Sequence, residues 1–271
     1  PFSSSEVLLS SVIDSLAQRV LRLYDPEASG GSAAVKPASQ LLTQYWDALQ
    51  HYWRGVQAWN RLEIGLADRE ITSTLQIDPT FALVRVTLAE LRTFQERWDE
   101  ARNEILSAKK SAAGLTEVDR IRIDALLARV SSQPFEERKH LQRLIGLQPY
   151  RREYTFELAE SYFHTGDVDE AILKYRDALK LDDRYALAYN HLGYCYAWKG
   201  DHEKALGALN RYLEIDKSPN AYDSLGDVYM HAGDYAKALE MKHRAFQGDP
   251  SLYYAKRGMA FINILQGRLA A

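Results

Sequence analysis

The chain has 271 residues, 46% of them apolar and 26% charged, with a formal net charge of -3. That near balance argues against nucleic acid as the main partner, because phosphate-binding proteins carry a basic excess. The single Cys195 excludes an internal disulfide, and no run of 18 apolar residues or charged-then-apolar leader points to a membrane span or a signal peptide.

From the N-terminus, Val7, Leu8, Val12, Ile13, Leu16, Val20 and Leu23 recur at spacings of three and four, which predicts an amphipathic helix over 5–24 with its cap in Ser3 to Ser5. Its polar face lacks a Lys/Arg cluster, so the expectation is a cap docked on the first repeat, not a membrane-surface helix. The Gly-, Ser- and Pro-containing stretch 25–39 reads as a linker, which makes 1–39 an N-terminal helix and linker ahead of an array over 40–271.

The rest of the chain is periodic. Tyr189, Leu192, Gly193, Tyr196, Gly200, Ala205 and Leu209 stand at positions 4, 7, 8, 11, 15, 20 and 24 of a unit that starts at Ala186. Tyr222, Leu225, Gly226, Tyr229, Gly233, Ala238 and Lys242 hold the same positions in the next copy, which closes on Ala245 and Pro250. Extending this frame gives starts near 48, 82, 118, 152, 186 and 219, with a partial unit from 253. The unit from 118 fits worst, with Glu137 at the position held elsewhere by Ala205 and Ala238. Gly193 and Gly226 are read as sites of close helix crossing with Ala205 and Ala238 as their small partners, while Gly200-Asp201 and Gly233-Asp234 make the turns.

This spacing of an aromatic, a Leu-Gly pair, a Tyr, a turn Gly, a small Ala and a closing Pro resembles the tetratricopeptide repeat family. The resemblance implies an all-α fold, a right-handed superhelix of stacked helix-turn-helix repeats with an N-terminal helix, because a lone hairpin cannot bury its own apolar face. Tyr52-Trp53-Arg54-Gly55 and Ile77-Asp78-Pro79-Thr80-Phe81-Ala82, following a helix and a linker, are also similar to the repeat region behind the kinase domain of some bacterial serine/threonine kinases. A similar region occurs in some membrane-anchored transcriptional regulators. The chain opens at Pro1 and stops at Ala271 inside a repeat. It is therefore expected to be a fragment of a longer protein, cytoplasmic or the soluble domain of a membrane-anchored one, with any catalytic part outside it.

In this family the first helix of each repeat lines the concave face. On that basis Phe156, Glu160, Phe163, Asn190, Tyr194, Trp198, Asp223, Asp227 and Met230 are the expected partner-binding residues, an aromatic and acidic surface suited to a basic peptide with apolar side chains. The family's carboxylate clamp is not expected, since Asn190, Tyr194 and Asp223 bring no convergent Lys/Arg pair. His164, His191 and His231 fall on one face but about 10 Å apart, too far for shared ligation, and no metal or cofactor is expected. No nucleophile motif or phosphate loop occurs, so no catalytic residue is assigned. The function expected is a protein-interaction scaffold; the alternative is the regulatory or sensor region of a bacterial signalling protein.

Overall fold

The computed structural model describes residues 43, 45–60, 63–111, 115–250 and 252–268, and the expected helix over 5–24 and its linker lie outside them. The described residues form α-helices joined by tight turns: α1 (Trp46–Asn60), α2 (Ile64–Ile77), α3 (Ala82–Phe94), α4 (Trp98–Lys110), α5 (Glu117–Val130), α6 (Pro134–Leu147), α7 (Arg152–His164), α8 (Val168–Leu181), α9 (Ala186–Trp198), α10 (His202–Ile215), α11 (Pro219–His231), α12 (Tyr235–Gly248) and α13 (Tyr253–Leu265). The fold is all-α, built from helix-turn-helix repeats, and no described helix is long and apolar enough to cross a membrane. The chain divides into two compact parts, up to His140 and from Leu141.

One turn recurs through both parts. Each first helix ends with a backbone N–H reaching back over the last turn: Glu63 to Ala58, Arg97 to Arg92, Gln133 to Ala128, Asp167 to Tyr162, Asp201 to Tyr196, Asp234 to Tyr229 and Arg268 to Asn263, all 2.8–3.0 Å. In the last six of these turns the residue just before the donor is left-handed, as such a closure favours. Glu96, Ser132, Gly166, Gly200, Gly233 and Gly267 supply it, all with positive φ. The four glycines adopt it without a Cβ penalty, whereas Glu96 and Ser132 each carry a cost of about 1 kcal/mol. Asp201 and Asp234 then cap the following helices, each accepting from a backbone N–H three residues on at 3.2 Å.

In the first part, α1 crosses α2 at Gly55, where an added Cβ would lie 2.7 Å from Ile71 Cγ1. The core there is built from Ala58, Ile71, Phe81 and Leu91, then from Ala89, Ile105 and Ile123. Arg92 is nearly buried and grips Asp68 with two bonds of 2.6 and 2.7 Å, which holds the Asp68 carboxyl below its ordinary range. Glu137, at the position where a small residue was expected, is buried and accepts from Arg129 Nε at 2.6 Å. The departure from the repeat pattern is thus compensated by a charge partner.

The second part shows a different pairing at the crossing points from the one expected. A Cβ on Gly193 would lie 2.5 Å from Leu209 Cγ, and one on Gly226 would lie 2.9 Å from Lys242 Cγ. The glycines therefore make room for position 24 of the unit, not for Ala205 and Ala238. Those two alanines are fully buried, but the large residue opposite the glycine is what sets the close approach. Gly193→Leu should overpack α9 against α10 and destabilise the chain by about 1–3 kcal/mol. A urea unfolding midpoint equal to the parent's would contradict this.

Candidate functional site

The candidate residues lie on the first helices of the second part. On α9 the stripe Leu187, His191, Tyr194 and Trp198 runs at spacings of four, three and four, so its side chains share one face. The ends of this stripe are open, with Leu187 44% and Trp198 76% exposed. Its middle is engaged with neighbouring helices.

Towards α7, His191 joins a cluster around Glu160. The Glu160 carboxylate takes His191 Nδ1 at 2.7 Å, receives the Tyr175 hydroxyl, and faces His164 Nε2 at 3.7 Å. Burial alone would raise this carboxyl, but the charge of His191 and the hydrogen bonds from His164, His191 and Tyr175 outweigh it and hold Glu160 well below the ordinary carboxylate range. Phe156 walls the cluster, its ring 5.5 Å from Tyr175, 5.2 Å from Tyr185 and 5.2 Å edge-on from His191. Phe163 stands 6.4 Å from the His191 ring. Both phenylalanines are half-buried.

Towards α11, Tyr194 donates to Ser224 Oγ at 3.1 Å and to Asp227 Oδ2 at 3.3 Å. Burial, followed by the Asp227 charge, pushes its phenol well above the ordinary value. Asp223 and Asp227 converge on Lys242, whose Nζ lies 2.7 and 2.5 Å from them. That lysine is 1% exposed, and burial pushes the Asp223 carboxyl up despite the pair. Met230 is half-buried on the same helix.

Two sequence expectations change here. Glu160, Asp223 and Asp227 were read as an open acidic surface, yet each is already held by partners inside the protein. Tyr194 was read as an anchor for a ligand, and its hydroxyl instead ties α9 to α11. Lys242, Tyr175 and Ser224, which complete these networks, were not among the expected residues. A signal existed for Lys242: it occupies the column held elsewhere by Ile71, Ile105, Tyr175 and Leu209, where a lysine needs a nearby acid.

Asn190 is 7% exposed, and its Oδ1 has no protein hydrogen-bond partner among the described residues. Cys195, one helical turn beyond His191, is fully buried, and its thiol is pushed up to about 12 by burial and by the Glu160 charge. It stays protonated and unreactive at neutral pH. Tyr175 is likewise buried, so the Glu160, His191 and Tyr175 grouping holds helices together and offers no nucleophile.

Family models described as "TPR repeat" and "Tetratricopeptide repeat" match residues 159–200 and 186–219. Residues 159–219 thus carry tetratricopeptide repeats. Solved structures of the same fold include a thermophilic TPR protein of Thermus thermophilus, at a TM-score of 0.58 and 19% identity over 68% of this chain and 99% of that one. A tetratricopeptide repeat protein of Parabacteroides merdae superposes at 0.55 with 14% identity over 83% of this chain and 88% of that one. PilW, a type IV pilus biogenesis factor, does so at 0.55 with 13% identity over 79% and 98%. At these identities the likeness is one of fold. No protein of curated function matches the sequence significantly. A tetratricopeptide array is an interaction scaffold, and a protein or peptide is its expected class of partner.

Proposed function

We propose that the face formed by α7, α9 and α11 binds an extended segment of a partner protein. The observation that carries this reading is the open apolar stripe of α9, with Trp198 76% and Leu187 44% exposed at the two ends of one face. These two side chains supply apolar contact, with Phe156, Phe163 and Met230 as half-buried neighbours. Because Glu160, Asp223 and Asp227 already have counter-charges, apolar and aromatic side chains matter more in this partner than basic ones. Glu160 and Asp227 keep enough exposure to add a modest preference for a cation.

The test is selection of a displayed random-peptide library on the full chain, followed by mapping with a photo-crosslinking phenylalanine analogue placed at Leu187. Selected peptides should crosslink from that position. They should not crosslink from Leu173, which is 49% exposed on the second helix α8. Peptides that crosslink only from Leu173 would move the site to the other face.

A further inference from the structure

Among the described residues, the first helix of the array leaves an apolar face partly open at Trp53, and its own chain carries a segment that fits it. Trp46, Leu49, Trp53 and Val56 recur on α1 at spacings of three and four and therefore share one side. Trp53 is 63% exposed, and Tyr45, just before the helix, is 53% exposed. In three later repeats, the residue in the register of Trp53 meets the second helix of the repeat before it. Ile123 shares a core cluster with Ile105. His191 meets the Tyr175 hydroxyl at 3.3 Å, and a Cβ on Gly258 would lie 2.7 Å from Lys242 Cε. Trp53 thus marks a seat for a preceding helix, and no described helix fills it.

We propose that residues 5–24 of this same chain occupy that seat, as an amphipathic helix whose Val12, Leu16 and Val20 stripe packs on Trp53 and its neighbours. Chain geometry favours this occupant. Thr43 is buried and donates to Asp78 Oδ2 at 2.6 Å, so the chain entering α1 is pinned beside the start of the face to be covered. Residues 25–42 can span about 60 Å when extended, against about 22 Å for the length of α1, so the segment can return along the helix. A tethered segment also competes at an effective concentration in the millimolar range, which a second copy of the chain does not reach. Docking would cover two apolar surfaces at once, the stripe of 5–24 and the side of α1, either of which left bare is a liability for association.

Cysteine pairs in the full chain test this. Trp53→Cys is combined in turn with Val12→Cys, Leu16→Cys or Val20→Cys, and with Gln18→Cys as a control on the opposite side of the segment. Buried Cys195 stays unreactive. A bis-maleimide spanning about 10 Å, the usual distance between packed helices, should give an intramolecular product from at least one stripe position. Its yield should exceed that of the control about tenfold and should not change with protein concentration. Yields no higher than the control at all three positions would overturn the proposal. A dimeric product whose yield rises with concentration would also overturn it, by assigning the face to a second copy.

Discussion

Lys242→Met is expected to destabilise the second part of the chain by about 3–5 kcal/mol, the usual consequence of removing one member of a buried ion pair. The substitution keeps the length and nearly the volume of the side chain, so packing changes little. The stem would still run past Gly226 and Gly258, where added Cβ atoms would lie 2.9 and 2.7 Å from it. What disappears is the ammonium that lies 2.7 Å from Asp223 and 2.5 Å from Asp227. Burial already raises the Asp223 carboxyl, and without Lys242 it rises further. A carboxyl whose folded pKa exceeds its unfolded value favours the fold when protonated, and loses that contribution as pH rises through the folded pKa. The deficit of the variant should therefore be larger at pH 8 than at pH 5. Adding Asp223→Asn should recover much of it. Amide exchange should place the loss in α11 to α13 and leave the first part untouched. A deficit below about 1 kcal/mol, or one that does not vary with pH, would mean that the buried pair contributes little.

The repeat frame was legible because each turn imposes local demands. A left-handed residue, a cap and a small crossing residue must fall at fixed offsets, and Gly166, Gly200, Gly233 and Gly267 announce the turns directly. Even Glu96 and Ser132, which hide the turn behind a side chain, fall where the frame puts them. Contacts between helices were less legible. The pairing of Gly193 with Leu209, and not with Ala205, depends on the angle at which α10 crosses α9, which no local pattern encodes. The acids were misread for a similar reason. Glu160 meets His191 from the next repeat, and Asp223 meets Lys242 from the second helix of its own repeat, so their free charge could not be judged from the first-helix positions alone. Trp198 and Asn190 were placed on one helix from sequence, but only burial separates an exposed ring from a buried amide.

Trp198→Ala should weaken binding of a selected peptide by about 2 kcal/mol or more, roughly 30-fold in Kd, while leaving the unfolding midpoint unchanged. The ring is 76% exposed, so its removal opens no cavity, and surface substitutions of this kind shift stability by no more than about 0.5 kcal/mol. In a complex the same ring can bury about 200 Å² of largely apolar area, enough to account for a loss of that size. Tyr194→Phe provides the contrast. It removes the hydroxyl bonded to Ser224 and Asp227, so it should lower stability by about 1 kcal/mol and leave affinity nearly intact. Each variant is measured twice, by peptide titration and by urea unfolding, so that a binding loss caused by misfolding is recognised. A folded Trp198→Ala variant that binds the selected peptide with the parental Kd would remove α9 from the binding face. The exposed residues of the second helices, Leu173 and Leu181 on α8 first among them, would then be the surface to mutate.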